Sequence, residues 1–214
     1  PDRGAVRHLR GRFADRMVLS KVARFDPDKQ WLLAIEIVAA LKQRGCRPLL
    51  IARGGVEAHG DHVMRAAAVR GLCVEERRLQ ERGARGFVAA IANPREAERR
   101  ESASHLDVEM RRVLFRSANA VLANSSHEPF GLVGLETMAA GGLACTGYSG
   151  EDYVIPNRNA LAMQTDNPLE FVSLFDRLRR TRHEEMALRR AGQRTALHYA
   201  WPEIIKRNLL PHLQ

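Results

Sequence analysis

Two carboxylates, Glu128 and Glu136, lie eight positions apart in the segment HEPFGLVGLE at residues 127–136. A carboxylate accepts hydrogen bonds from hydroxyl groups, as an acidic residue does for the ribose in dinucleotide-binding folds. The unpaired amides at the start of a helix bind anions, and the helix dipole adds to that attraction. A helix that begins between the two acids would therefore place an anion site between two groups that bind hydroxyls.

The elements around this segment determine whether it can hold such a ligand. Residues 119–125, NAVLANS, are predicted to form a strand, and the next helix is predicted to begin near Gly131. A glycine there lets a ligand approach the backbone closely. The free amides of the first turn would be those of Phe130, Gly131, Leu132 and Val133. This arrangement suits a ligand with hydroxyls on both sides of a diphosphate, which is the chemistry of a nucleotide-sugar.

The same spacing has a simpler interpretation. Glu128 would do no more than interact favourably with the helix dipole, and Glu136 would be a solvated residue of the helix. The spacing of the two acids alone does not decide between this interpretation and a ligand site.

Hydrophobic periodicity predicts strands that alternate with helices along most of the chain. Asp26 followed by Pro27 is a typical helix N-cap and first-turn pair, and Gly45 ends the helix that follows. Residues 86–94, GFVAAIANP, are compatible with a short helix. Strands are predicted at 17–25, 47–53, 73–79, 119–125 and 143–148, and helices at 29–44, from 56 to about 71, at 106–118, at 132–141 and over most of 168–213, with a restart at Pro202.

Strands that alternate with helices of this length indicate right-handed crossovers and a parallel sheet. The expected fold is α/β, a Rossmann-like doubly wound parallel sheet with a helical C-terminal tail. Residues 1–15 are expected to be a leading, interdomain segment, 16–200 the ligand-binding domain, and 201–214 a final helix. Ligands of such sheets bind at the carboxyl ends of the strands, and Glu128 follows one of those ends.

The composition limits the class of protein. With 45 % hydrophobic residues the 214-residue chain can bury a core, and no apolar run approaches a membrane span. Three widely spaced cysteines fit neither a disulfide framework nor a zinc cluster, which indicates a reducing compartment. The net charge of +9 comes mostly from arginines that are spread in pairs among glutamates. This pattern favours dispersed surface charge over a single polyanion-binding stripe. The first residue is Pro1, which suggests a fragment of a longer chain.

Residues 117–142, SANAVLANSSHEPFGLVGLETMAAGG, closely resemble a signature of the retaining GT-B glycosyltransferases grouped as family 4. That signature has a small-residue strand, Ser, a short gap, Glu-Pro-Phe-Gly and then Glu-Ala-Met-Ala-x-Gly. In this chain Thr137 replaces the usual alanine. The central motif is highly specific, and the expected fold is therefore one half of a GT-B enzyme.

Two further segments match the family at the expected distances. VARFDPDK at 22–29 resembles its strand-turn-helix motif, with Ala23 in place of a glycine, and HYAWPEIIKR at 198–207 resembles its closing Phe-Ser-Trp segment. Gly150 and Glu151 match its Gly-Gly-x-x-Glu loop only loosely. The charged stretch 80–105 is not explained by the resemblance.

The resemblance implies a role for each matching residue. Glu136 would bind the ribose, Glu128 would lie beside the donor sugar, and Arg24 and Lys29 would hold the diphosphate. Fixed cations there would stabilise the charge that the leaving nucleoside diphosphate gains, with arginine gripping phosphate bidentately and lysine acting as a point charge. Simple surface solvation is the alternative for both cations. The candidate catalytic residues are Arg24, Lys29 and Glu128, and the candidate donor-binding residues are these three with Phe130, Gly131, Leu132 and Glu136.

The expected function is that of the C-terminal, donor-binding domain of a glycosyltransferase, which moves a sugar from a nucleoside diphosphate to an acceptor hydroxyl. The resemblance implies retention of configuration, no metal and no cofactor beyond the donor. The expected partners are the nucleotide-sugar and an N-terminal acceptor-binding domain, to which the final helix would cross. A peripheral membrane or lipid-linked acceptor is compatible with this function. The expected location is cytoplasmic or at the inner face of the membrane, and no specific nucleic acid is expected.

Other interpretations stay open beside this one. The basic chain would also suit a polyanion- or nucleic-acid-binding module with a vestigial site, and GT-B relatives include epimerases and phosphorylases. No lysine is evident as a carrier of the pyridoxal phosphate that glycogen-type phosphorylases use. Asp26 and Asp28 spell the DxD metal motif of the other glycosyltransferase fold, but Asp26 is already explained as a helix cap. Four possible metal ligands have no spacing that matches a known site: Glu57, His59, Asp61 and His62.

Overall fold

A parallel sheet forms the centre of the molecule. The computed structural model describes residues 1–55, 57–74, 108–147 and 151–213, and the backbone of 91–92. The strands are β1 Met17–Val22, β2 Pro48–Arg53, β3 Ile91–Ala92, β4 Ala120–Leu122, β5 Ala144–Thr146 and β6 Leu161–Ala162. All six pair in parallel in the order β3-β2-β1-β4-β5-β6, which is the order of doubly wound dinucleotide-binding folds. The predicted fold class is confirmed.

Helices cover both faces of this sheet. They are α1 Arg3–Arg12, α2 Trp31–Gln43, α3 His59–Val69, α4 Val108–Ser117, α5 Leu132–Ala140, α6 Pro168–Arg179, α7 Arg182–His198 and α8 Trp201–Ile204. After α8 the chain continues as a π-helical segment, Ile205–Leu209, and a 3-10 turn, Leu210–His212. None of the helices in the described part of the chain has the length and apolar character that crossing a membrane requires.

Successive residues of β1 point to opposite faces of the sheet, and each face has its own core. Met17 and Leu19 pack with α2, α3 and α6 on one face. Val18 packs with α1 and α4 on the other face. The doubly wound arrangement therefore follows from the alternation of apolar residues along a strand that is buried on both sides.

The structure differs from the sequence-based prediction in the short strands. The backbone of Ile91–Ala92 forms β3 beside β2, so the short helix expected at 86–94 is wrong for these two residues. A short apolar run does not distinguish a strand from a helix by periodicity alone. Strand β6 was not predicted, because two paired residues leave no period to detect. Cys73 and Val74 have no regular structure, and most of the predicted strand 73–79 and of the stretch 80–105 lies outside the described residues.

The segment before residue 16 forms α1, which the sequence analysis did not predict. The side chain of Asp2 caps it by accepting a hydrogen bond from the amide of Ala5 at 2.7 Å. Val6 and Leu9 are buried in the same cluster as Val18 of the sheet. The segment therefore packs into the core of the sheet domain, and its role between two domains stays a prediction.

One arginine that was predicted to be surface charge is buried. Arg189 of α7 donates to the carbonyls of Ala118 and Asn119 at 3.2 and 3.0 Å, to that of Gly141 at 3.4 Å, and to the carboxylate of Glu185 at 2.8 Å. Burial lowers the pKa of its guanidinium, although Glu185 acts in the opposite direction. All three nitrogens of this guanidinium donate, and they reach carbonyls at the ends of both α4 and α5, which is a structural use of arginine.

The packing of α1 predicts how much the fold is destabilised when one of its buried side chains is shortened. Leu9 is only 4 % exposed, so Leu9→Ala should lower the free energy of unfolding by about 2–5 kcal/mol. The control is Leu197→Ala in α7, where the side chain is 65 % exposed and the expected loss is below about 0.5 kcal/mol. Urea unfolding followed by circular dichroism measures both. Equal, small losses would mean that α1 is not part of the cooperative core.

Candidate functional site

The candidate site lies where the strand order reverses. Strands β1 and β4 are adjacent. After β1 the chain continues to β2 and β3 toward one edge of the sheet, and after β4 it continues to β5 and β6 toward the other edge. Ligands of doubly wound sheets bind in the crevice beyond the carboxyl ends of such a pair. The loop after β1 spans residues 23–30 and the loop after β4 spans 123–131. The amide of Ser126 donates to the carbonyl of Asp28 at 2.9 Å and ties the two loops together.

The loop after β1 has the predicted helix start, in a modified form. The side chain of Asp26 accepts a hydrogen bond from the amide of Asp28 at 3.0 Å and caps a 3-10 turn, Pro27–Lys29. Gln30 then adopts a left-handed conformation with φ of 47°. Helix α2 begins only at Trp31, two residues later than predicted. The 3-10 turn therefore presents Lys29 toward the loop after β4, before the helix begins.

Two of the predicted catalytic residues are in contact. The ammonium of Lys29 pairs with the carboxylate of Glu128, and both side chains are mostly buried. Arg24 stands apart from this pair. Its side chain is 70 % exposed and lies 3.8 Å from the carboxylate of Asp26. An exposed guanidinium with so long an ion pair is free to turn toward a ligand.

The second acid of the motif forms an ion pair with a neighbouring helix. A carboxylate oxygen of Glu136, on α5, lies 3.1 Å from the guanidinium of Arg111, on α4. Helices α4 and α5 pack side by side, which brings these two residues together although the chain separates them by a strand and a loop. Arg111 was treated as dispersed charge in the sequence, because a single arginine among many carries no spacing signal.

The start of α5 requires a glycine at position 131. Gly131 has φ of 69° and ψ of 61°, a left-handed conformation that glycine adopts without strain. A Cβ at this position would lie 2.8 Å from Cγ of Glu151 and 3.0 Å from the hydroxyl of Tyr153. The hydroxyl of Tyr153 donates to the carbonyl of Gly131. Leu132, the next residue, is exposed, so the first turn of α5 is open to the solvent side of the crevice.

An aromatic cluster holds the loop before α5. The ring of Phe130 lies 5.6 Å from those of Tyr153 and Tyr199, which are themselves 5.9 Å apart. Burial raises the pKa of Tyr153, and the neighbouring carboxylate of Glu151 adds to this effect. The phenol therefore stays protonated and remains a donor to the helix start. Glu151 matches the family loop only loosely in the sequence, and the two tyrosines have no signal there.

The sequence analysis also missed Lys21, which is buried beneath the crevice. Its side chain is 1 % exposed, and its ammonium donates to the carbonyls of Leu122 and Asn124 at 3.1 Å each and to the side-chain oxygen of Asn124 at 3.2 Å. It lies 5.6 Å from the ring centre of Trp31. Burial lowers the pKa of Lys21 to about 7. Of the nearby groups, Cys145 raises this pKa and Lys29 lowers it, both by less than burial does.

The two metal-site alternatives find no geometric support among the described residues. Asp26 is engaged as a helix cap. Glu57 accepts a hydrogen bond from the amide of Phe25 at 2.9 Å, and His59 and His62 meet edge to face. Within residues 1–55, 57–74, 108–147 and 151–213, no group of three or more histidine, cysteine or acidic side chains is arranged to hold a metal ion.

Comparison with family models and with curated proteins gives no match. Solved structures do match. The C-terminal domain of the glycosyl transferase group 1 protein LpcC from Francisella tularensis superimposes with a TM-score of 0.63 at 14 % identity, over 92 % of this chain and 93 % of that domain. This chain has the fold of a GT-B C-terminal domain.

Two larger proteins share that fold. A glycosyltransferase from Rickettsia africae matches with a TM-score of 0.68 at 12 % identity, over 98 % of this chain and 51 % of the other. The Anabaena protein Alr3699/HepE, solved with UDP-glucose, matches with a TM-score of 0.65 at 16 % identity, over 92 % and 48 %. This chain therefore spans about half the length of these two proteins.

The buried lysine predicts a pH dependence of stability. In the folded protein Lys21 loses its proton near pH 7, whereas in the unfolded chain a lysine keeps it up to about pH 10.4. When the protein unfolds at a pH between these two values, Lys21 takes up a proton. The contribution of Lys21 to stability therefore rises with pH in this range.

The test compares the wild type with Lys21→Met by urea unfolding at about pH 6 and about pH 9. The difference between their free energies of unfolding should shift in favour of the wild type at the higher pH. Lys42→Met, at an exposed lysine that donates to the carbonyl of Gly71, should show no such shift. Parallel pH curves for the wild type and Lys21→Met would contradict the assignment.

Proposed function

We propose that this chain is the donor-binding domain of a glycosyltransferase that transfers a sugar from a nucleoside diphosphate to an acceptor hydroxyl, with retention of configuration. One observation carries the proposal. Lys29 and Glu128, a cation and an acid from two loops, meet at the reversal of strand order, beside the open first turn of α5. A crevice with these groups offers a cation and helix amides to a diphosphate, and an acid to sugar hydroxyls.

The diphosphate would lie against the first turn of α5. The amides of Leu132 and Val133, in the first turn of α5, cannot pair within the helix and point along the helix dipole, which favours an anion. Lys29 would supply a point charge, and the exposed Arg24 would turn from Asp26 to a phosphate oxygen. Negative charge grows on the leaving diphosphate as the glycosidic bond breaks. Cations fixed there lower the barrier for that step.

The ribose would bind at Glu136. A carboxylate can accept hydrogen bonds from two neighbouring hydroxyls, and its orientation decides whether both are reached. The ion pair with Arg111 fixes that orientation from the neighbouring helix while leaving part of the carboxylate exposed. Arg111 would therefore act through Glu136 and not by touching the donor.

Donor binding would separate Lys29 from Glu128. These two charges neutralise each other in their ion pair, so a diphosphate must compete with Glu128 for the ammonium. Once released, Glu128 would accept hydrogen bonds from the hydroxyls of the donor sugar. With these roles, the contact would bring the phosphate-binding and sugar-binding groups side by side, in the order in which they occur along a nucleotide-sugar.

The acceptor would come from a second domain. The Rickettsia and Anabaena proteins are about twice the length of this chain. A transfer reaction needs donor and acceptor held together, and this positioning supplies much of the rate acceleration. Without the groups that hold an acceptor, these 214 residues should bind a donor but transfer no sugar.

The first experiment tests ligand class. UDP, GDP and ADP are each added to the domain in EDTA, and the shift of the melting temperature is measured. At a concentration of about 100 times the dissociation constant, the best nucleotide should stabilise the fold by about 2.7 kcal/mol. Lys29→Met should weaken the binding of that nucleotide, and Lys42→Met should leave it unchanged. No shift with any nucleotide, or tight binding of duplex DNA at physiological salt in its place, would contradict the proposal.

The second experiment separates the roles of the two acids, with isothermal titration calorimetry of the best nucleoside diphosphate. Glu136→Gln should weaken binding by about 1.5–3 kcal/mol, the usual range for a hydrogen bond to a charged group. Glu128→Gln should strengthen it by up to about fivefold, because an ion pair of partly exposed groups contributes up to about 1 kcal/mol and its competition is removed.

Glu184→Gln, at an exposed acid in the first turn of α7, is the matched control and should change nothing. A weaker nucleotide affinity in Glu128→Gln would mean that Glu128 binds the nucleotide itself. That result would refute the assignment of this acid to the sugar.

A further inference from the structure

A chain of side-chain hydrogen bonds runs beneath the candidate site. The ammonium of Lys21 donates to the side-chain oxygen of Asn124, and the amide nitrogen of Asn124 donates to the side-chain oxygen of Gln30 at 2.9 Å. The amide nitrogen of Gln30 donates in turn to Asp166 at 2.5 Å. Gln30 directly follows Lys29, and Asn124 lies in the loop that carries Glu128. The chain therefore connects the two loops whose charged residues meet in the crevice.

Lys21 is an unusual anchor for such a chain. It follows Met17 and Leu19 on the apolar face of β1, where burying a charge is costly unless it is paired. Its ammonium has three oxygen acceptors, all from the end of β4, and no carboxylate among them. An apolar residue would avoid the desolvation cost but could not hold Asn124.

Gln30 is the second unfavourable feature of the same chain. Its φ of 47° lies in the left-handed region, which is strained for a residue with a Cβ. Glycine would adopt this conformation without strain, but it has no side-chain amide to accept from Asn124 and donate to Asp166. The side chain of Gln30 is thus used at the one backbone position of the turn where a side chain is disfavoured.

We propose that Lys21 is a positioning residue for the donor site, which acts through Asn124 and Gln30 to hold the loop after β1 against the loop after β4. The contact between Lys29 and Glu128 depends on the distance between these loops. The ligand of the site rests on the proposed function, whereas the positioning of the loops does not. Lys21 itself is too deeply buried to touch a donor.

The titratable groups that act on Lys21 are few. They are Cys145 of β5, whose thiol pKa is raised by burial to about 12, and Lys29 of the turn. Helix α2 contributes the ring of Trp31, which does not titrate. A proton lost from Lys21 removes one of its donors and turns a lone pair toward a carbonyl. The neutral amine still has two N–H donors for these acceptors, so the link to Asn124 should persist on either side of neutrality.

Hydrogen exchange tests the positioning without any ligand. The amide of Ser126 is the reporter, because it bridges the two loops by donating to Asp28. Lys21→Met should lower its protection about tenfold, a change of about 1.4 kcal/mol in local opening, while the amide of Gly142, which donates to Thr137, stays unchanged. Lys42→Met should change neither amide. Equal changes at both amides, or none at Ser126, would overturn the proposal.

Nucleotide titration tests the consequence for the site. The dissociation constants of UDP, GDP and ADP are measured for the wild type and Lys21→Met from about pH 6 to about pH 9. The affinity of Lys21→Met for the best nucleotide should be about tenfold weaker than that of the wild type across this pH range. An unchanged affinity would limit Lys21 to a structural role and overturn its assignment to the donor site.

A second variant guards against a failure of Lys21→Met to fold. Gln30→Gly relieves the strained backbone and breaks the same chain of hydrogen bonds. It should therefore fold at least as stably as the wild type and still bind the nucleotide more weakly. The double variant should bind the nucleotide no more weakly than the weaker-binding single variant, because both substitutions act through one chain of hydrogen bonds. Additive losses would overturn the route through Gln30. If Ser126 loses protection but no nucleotide binds the wild type, the positioning stands and the proposed function is wrong.

Discussion

The pairing of β1 with β4 is the constraint on which the candidate site depends. Its register sets Leu19 opposite Ala120 and Ser20 opposite Val121. The contacts of Lys29 with Glu128, of Lys21 with Asn124 and of Asp28 with Ser126 join residues that are 98 to 103 positions apart in the chain. A slip of one residue would turn Lys21 to the opposite face of the sheet and remove its acceptors. The site is therefore a product of strand order and register, and no local segment contains it.

This dependence explains which features the sequence predicts. The long periodic segments predict β1, β2 and α2, and the motif around Glu128 predicts the loop and helix of the site, because each of these signals lies within a few consecutive residues. The ion pair of Glu136 with Arg111 and the burial of Lys21 depend on neighbours in space, and the lysine looks like a polar residue in a strand. The two-residue strands β3 and β6 exist only through their partners.

The arginine-rich composition has a similar explanation. Arg189 and Arg116 both donate to the carbonyl of Gly141, where α5 ends, and Arg10 donates to the carbonyl of Arg116. These guanidinium groups satisfy helix carbonyls that have no partner within the helix. Part of the positive charge is thus fixed inside the fold by structural hydrogen bonds. A net charge of +9 is for this reason weak support for a polyanion-binding surface.

The unfavourable features near the site bear on whether it is vestigial. A buried ammonium without a carboxylate and a left-handed glutamine occur in one hydrogen-bonded chain, next to Lys29. One amino-acid substitution would relieve either feature, because methionine at position 21 would bury no charge and glycine at position 30 would adopt the left-handed conformation without strain. Sparsely populated backbone conformations and other violations of local rules cluster at functional sites, where the surrounding structure holds them in place. Two such costs in the same chain, beneath the contact of Lys29 with Glu128, therefore favour the proposed donor site over a vestigial one.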